Sequence, residues 1–160
     1  MPASDTRIIG LISDTHGQMR AQVHEALAGV ELILHAGDVG GREILSELGL
    51  IAPVKAVYGN TDSPADPDLT ETLELTLDGV RIHVSHGHEL GSPTPEALAR
   101  HYDADVLVYG HTHRQLVARI DEKLIVNPGA AGPRRFNLRP SVGRLTISDG
   151  KAEVEIIDLA

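Results

Sequence analysis

Short aliphatic runs alternate with polar stretches of helical spacing through the first third of the chain. Residues 8–12, 32–36 and 54–58 are continuous apolar runs closed by Ser13-Asp14, Gly37-Asp38 and Gly59-Asn60. Such runs, bounded by turn residues, suit strands buried on both faces. Between them, residues 18–28 place Val23, Ala26 and Leu27 on one helical face, and residues 42–48 read as a second short helix. The alternation is that of βαβ units.

The pattern then changes. Residues 73–77 and 80–85 alternate apolar and polar positions around Asp78-Gly79, a strong hairpin signal. Residues 116–120 and 123–126 flank Asp121-Glu122, and residues 142–147 and 152–157 flank Asp149-Gly150, which predicts two more hairpins. Residues 95–102 read as a helix with Thr94 as N-cap and Pro95 at its first position. Residues 106–109 are another buried strand, and the Pro- and Asp-rich segment 63–68 is an exposed loop. The expected fold is α/β: a four-layer α/β/β/α sandwich of two mixed sheets flanked by helices, forming one domain over residues 1–160.

Composition narrows the chemistry. With one Phe, three Tyr and no Trp, the core must be aliphatic, and nothing suggests stacking on bases. A formal net charge of −9 argues against a surface that tracks long nucleic acid. There is no cysteine, which excludes disulfides, iron–sulfur clusters and thiol catalysis. No apolar run approaches the roughly 18 residues of a membrane span, and the first residues lack the apolar core of a secretory signal. The expected location is cytoplasmic, away from membranes.

The buried runs share one feature. Each ends in a side chain that can bind a metal: Asp14 and His16, Asp38, Asn60, His86, and His111 with His113. Sites in open α/β sheets form outside the carboxyl ends of strands, so these seven residues are expected to meet in one crevice. In Asp14-x-His16 and His111-x-His113, an extended backbone would point both side chains the same way. Gly37 and Gly59 would let the chain turn tightly into Asp38 and Asn60. Asp38, with two oxygens, can bridge two ions about 3.5–4 Å apart, the spacing that clamps an in-line displacement. Imidazoles and carboxylates without thiolates favour Mn, Fe, Co, Ni or Zn.

Asp14-Thr15-His16, Gly37-Asp38, Gly59-Asn60, His86-Gly87-His88 and Gly110-His111-Thr112-His113 resemble the successive motifs of the calcineurin-like metallophosphoesterase superfamily. Gly59-Asn60-Thr61-Asp62, and Asn127-Pro128-Gly129 followed by Pro133-Arg134, are similar to its small prokaryotic YfcE-like branch. The match runs over about residues 8–142. The resemblance implies two divalent ions per chain, manganese foremost. Asp14, His16, Asp38 and His113 would hold the first, and Asp38, Asn60, His86 and His111 the second. It also implies phosphodiester hydrolysis by a metal-bridging hydroxide, with Asn60 helping to neutralise the transition state. Many superfamily members carry a His where this chain has Thr61, so the general acid is open, and His88 is the candidate.

Other residues have plainer readings. His83 is a packing or surface residue. His24 and His101 lie on solvated helix faces. His35 is a buried imidazole close enough to Asp38 to support it. Asp62 braces the Asn60 loop. Asn127 opens a small-residue loop that is a structural turn or a backbone approach to the site. Arg134, Arg135 and Arg139 are surface charges, with Arg134 the candidate contact to substrate phosphate. The expected substrate is a small phosphodiester or a nucleotide-like molecule, and related small enzymes suggest a homo-oligomer. The rival reading is a metal-binding or protein-interaction scaffold of the same fold that does not hydrolyse.

Overall fold

The computed structural model describes residues 6–134 and 137–159. Its elements run β1 (Arg7–Ile12), α1 (Gln22–Ala26), β2 (Leu32–His35), α2 (Arg42–Leu48), β3 (Val54–Ala56), β4 (Leu73–Leu77), β5 (Val80–Val84), α3 (Pro95–His101), β6 (Val106–Val108), β7 (Leu116–Ile120), β8 (Lys123–Asn127), β9 (Ser141–Ser148) and β10 (Lys151–Asp158). They form two five-stranded sheets, ordered β10-β9-β1-β2-β3 and β4-β5-β6-β8-β7. In the first, β1, β2 and β3 are parallel, and β9 and β10 pair antiparallel beside them. In the second, β5, β6 and β8 are parallel, with β4 and β7 antiparallel at the two edges.

Side-chain alternation along the strands explains the layers. Ile9, Leu11 and Leu34 face Val84, Val106, Val108 and Val126 in one core between the sheets. On the outer side of the first sheet, Ile12, Ile33 and Ala56 pack against Val23 of α1, Leu27 just after it, and Ile44 and Leu48 of α2. On the outer side of the second, Leu107 and Ile125 pack against Leu98 of α3. The order is therefore helix, sheet, sheet, helix. The parallel strands are buried on both faces, which is why their sequences are nearly unbroken aliphatic runs.

The three hairpins turn at Asp78-Gly79, Asp121-Glu122 and Asp149-Gly150, each with positive φ at both residues, the backbone that two-residue hairpin turns require. Thr94 caps α3 by accepting from the Ala97 N–H at 3.1 Å. One helix is shorter than its periodicity suggests. The helical spacing over 18–28 yields only Gln22–Ala26. No side chain caps its start, Gln18 is held in a turn by Thr15, and Arg20 reaches away to the Gly132 carbonyl. No helix among the described residues is long and apolar enough to cross a membrane.

Candidate metal centre

All the parallel strands end on one side of the sandwich. The carboxyl ends of β1, β2 and β3 lead into Asp14, Asp38 and Asn60, and those of β5 and β6 lead into His86 and His111. The loops that follow continue the strand pairing. The Asp14, His16 and Gly17 N–H groups donate to Gly37, Asp38 and Val39, each at 2.9 Å, and the Gly110 N–H donates to His86 at 3.0 Å. Close approach fixes two glycines. A Cβ at Gly59 would collide with Asp38, and one at Gly110 with Ser13 and Asp14.

The predicted ligands converge. Asp14 Oδ1 lies 3.4 Å from His113 Nε2, 3.7 Å from His16 Nε2 and 3.8 Å from His86 Nε2. Asp38 Oδ2 lies 3.2 Å from His86 Nε2 and 3.6 Å from His16 Nε2. Asn60 Oδ1 is 3.1 Å from His86 Nε2, and the His16 and His113 Nε2 atoms are 3.3 Å apart. Two donor sets result, Asp14-His16-His113 and Asp14-Asp38-His86. Asp14 is common to both sets, whereas Asp38 belongs to the second and approaches the first only through His16, at 3.6 Å. His111 stands beside His86, ring centroids 5.2 Å apart. His111 and His113 therefore serve opposite ends of the cluster and do not share one grip.

The backbone achieves this differently from the sequence expectation. Asp14, His16, Asp38, His111 and His113 all have positive φ, between 46° and 71°. The Asp-x-His and His-x-His pairs are left-handed turns, not extended segments. Such conformations cost about 1–3 kcal/mol each and concentrate at functional sites.

Electrostatics favour ionised carboxylates. Burial pushes the Asp14 carboxyl up, but His113, His16, His86 and Ser13 outweigh it and hold the group well below the usual range. Asp38 is likewise lowered to about 2, with burial opposed by His86 and Thr61. Burial lowers His111, helped by His86, while the two aspartates overcome burial to raise His86.

A second set of side chains fixes the first. Asp14 Oδ2 accepts from the Ser13 hydroxyl at 2.6 Å and the His111 N–H at 3.1 Å, leaving Oδ1 buried without a hydrogen bond. His86 Nδ1 contacts the Ala36 carbonyl at 2.8 Å, which makes it the protonated nitrogen and frees Nε2 as a ligand. Thr61 donates to Asp38 Oδ1 from both its N–H and its hydroxyl. Asp62 accepts from the Val39, Gly40 and Gly59 N–H groups, tying the Asp38 and Asn60 loops together. His35 accepts from the Gly37 N–H at Nδ1 and meets the Thr15 hydroxyl at Nε2, bracing the loops that carry Asp14 and Asp38. Asn127 donates to the Gly110 carbonyl and the Thr112 hydroxyl on either side of His111. Of these, Ser13 and Thr15 carry no sequence signal, and Thr61 only the absence of a His: Ser13 and Thr61 act through the carboxylate oxygen each meets, Thr15 through the His35 ring.

The remaining candidates lie further out. The half-buried His88 has its ring centroid 5.3 Å from that of His86. Arg134 is exposed, two residues beyond Gly132, whose N–H donates to the Asp14 carbonyl at 3.3 Å. Arg135 lies outside the described residues. His83 is buried but stacks on Tyr102, ring centroids 3.9 Å apart, away from the cluster. His24 and His101 are exposed.

The residues fit a metal. A buried, ionised oxygen without a formed hydrogen bond, faced by three imidazole nitrogens at 3.4–3.8 Å, is a donor set that suits a cation.

Known proteins agree. The family model described as the calcineurin-like phosphoesterase superfamily domain matches residues 8–150. A probable metallophosphoesterase of Methanothermobacter thermautotrophicus is 35% identical over 158 residues, covering 94% of this chain and 91% of that protein. Phosphodiesterase YfcE of Escherichia coli is 34% identical over 157 residues, covering 83% of this chain and 84% of that protein. The structure of Vps29 from Entamoeba histolytica complexed with Zn²⁺ superposes with a TM-score of 0.74 at 28% identity, over 96% of this chain and 99% of that one.

Proposed function

The chain belongs to the calcineurin-like phosphoesterase superfamily, and from that premise we propose that it is a dinuclear metal-dependent phosphodiesterase. The observation that carries the reading is Asp14 Oδ1, buried and unpaired among His16, His86 and His113. Asp14, His16, Asp38 and His113 would hold one ion, and Asp38, Asn60, His86 and His111 the other. When bound, such ions supply a water-derived nucleophile at neutral pH and offset charge on the phosphoryl oxygens. The donor set suits Mn first, with Fe, Co, Ni and Zn as alternatives.

The chain's own residues orient the reaction. Asn60 offers an amide N–H to a phosphoryl oxygen while its Oδ1 faces His86. Arg134, exposed two residues beyond the Gly132 contact to the Asp14 backbone, is the residue we assign to meet substrate phosphate from solvent. His88 stands on the His86 and His111 side as the candidate proton donor to the leaving oxygen. With Thr61 engaged by Asp38, diesters whose leaving groups depart as anions are the preferred substrates.

The test is hydrolysis of bis(4-nitrophenyl) phosphate with Mn²⁺ and with chelator. Turnover with metal and none in chelator is expected. No turnover with any of the five ions, or full turnover in chelator, removes the reading. The likeness to Vps29 favours a second reading, a scaffold of the same fold. That reading requires an unreactive centre, so robust turnover lost in His111→Ala with the fold retained excludes it as the sole role.

A further inference from the structure

His113 has a second environment. It also lines a hollow of about 350 Å³, bordered by Arg114, Gln115, Asn137, Arg139 and Asp158. His113 thus belongs both to this hollow and to the Asp14 cluster. Among the described residues, two guanidinium groups against one carboxylate leave the hollow net positive, in a chain whose formal net charge is −9.

The positive groups are positioned and available. The Arg114 N–H donates to the Thr112 hydroxyl at 3.2 Å, and Asn127 grips the same hydroxyl at 3.0 Å. The root of Arg114 is therefore fixed relative to His113. Asp158 accepts from Gln115 at 2.7 Å and lies 3.6 Å from Arg139. That long, solvent-exposed ion pair contributes little, so Arg139 can turn to a stronger anion at small cost. Planar guanidinium groups bind phosphate through paired hydrogen bonds, and the Gln115 and Asn137 amides add neutral donors.

We propose that this hollow binds a second phosphate of the substrate, so that the preferred phosphodiester carries another phosphate on the His113 side of the scissile one. The assignment deepens the phosphodiesterase reading and rests on it for the chemistry, but binding can be read without turnover.

The probes are thymidine 3′,5′-bisphosphate and thymidine 5′-monophosphate, titrated calorimetrically into the Mn²⁺-loaded protein at fixed ionic strength. The bisphosphate is expected to bind about tenfold tighter, the scale of one hydrogen-bonded charge contact. In Arg114→Ala/Arg139→Ala that advantage should vanish, with the monophosphate as internal reference. Both side chains are exposed, and circular dichroism checks that the variant remains folded. Equal affinities in the unsubstituted protein, or a preference that survives the double substitution, overturns the subsite. Turnover of bis(4-nitrophenyl) phosphate by the unsubstituted protein reports separately on the hydrolase reading. A bisphosphate preference without turnover would sink hydrolysis and leave the subsite standing.

Discussion

Thr61 grips one oxygen of Asp38 twice, donating from its backbone N–H at 2.9 Å and from its hydroxyl at 2.8 Å. The clamp commits Oδ1 and leaves Oδ2 facing His86 and His16. Side chains that orient a metal ligand typically contribute 10–100-fold in affinity. Thr61→Val should therefore weaken the second Mn²⁺ about tenfold in a calorimetric titration and lower kcat with KM little changed. Thr61→Ser should restore both. A metal-free melting temperature lowered equally in Val and Ser variants would mark Thr61 as merely structural.

His35 predicts an acid sensitivity. It is fully buried and satisfied as a neutral ring, accepting at Nδ1 from the Gly37 N–H, and burial lowers it to about 4. The unfolded chain takes up a proton there near pH 6.5. The stability it confers is complete above about 6.5, declines as pH falls toward 4, and is lost below. The full effect is roughly 3 kcal/mol. His35→Asn keeps an acceptor for Gly37 but cannot titrate. Urea unfolding in chelator should show the variant less stable at pH 7.5 and the gap narrowing by about 2 kcal/mol at pH 5. Parallel stability curves would refute the assignment.

What was legible in the sequence follows from burial. A parallel strand covered on both faces must be aliphatic, so a polar residue marks where it emerges, and Asp14, Asp38, Asn60 and His86 stand at those points. The hairpins were legible because Asp-Gly suits positive φ. The residues that aim the ligands were less so. Asp62 was read as a brace for the Asn60 loop, yet it also holds Val39 and Gly40 from a different strand end. Thr61 shows up in sequence only as the absence of a His. The left-handed turns at Asp14 and His111 are not legible because Asp and His tolerate that backbone without requiring it, and the surrounding loops impose it. The shortened α1 has the same origin, since Arg20 is drawn to Gly132 by tertiary contact.

Asp62 should be costly to remove. Its carboxylate accepts three backbone N–H groups from two loops. Asp62→Ala strands the two buried donors, Val39 and Gly59, at about 1–3 kcal/mol each. The expected loss of stability is about 3 kcal/mol by denaturant titration, with metal affinity falling alongside as the Asp38 and Asn60 loops separate. Asp62→Asn keeps one accepting oxygen and should lose roughly half as much. A loss under about 0.5 kcal/mol in the Ala variant would mean the loops are held by other contacts.

The role of His88 turns on the leaving group. Its ring lies 5.3 Å from that of His86 and 6.4 Å from that of His111, and its Nδ1 is buried without a hydrogen bond, 3.9 Å from Glu89 Oε1. Glu89 is itself anchored, accepting from the Tyr102 hydroxyl at 2.7 Å and the Gly87 N–H at 3.0 Å. An imidazole so placed is the candidate donor of a proton to the leaving oxygen. A 4-nitrophenolate departs without one, whereas an alkoxide does not, and general acid catalysis is worth about 10²–10⁴-fold where it is needed. His88→Ala should leave kcat on bis(4-nitrophenyl) phosphate within about threefold, yet lower kcat on an alkyl diester by about 100-fold or more. Equal losses on both substrates would assign His88 to binding or to metal support, and no loss on either would leave solvent as the proton source.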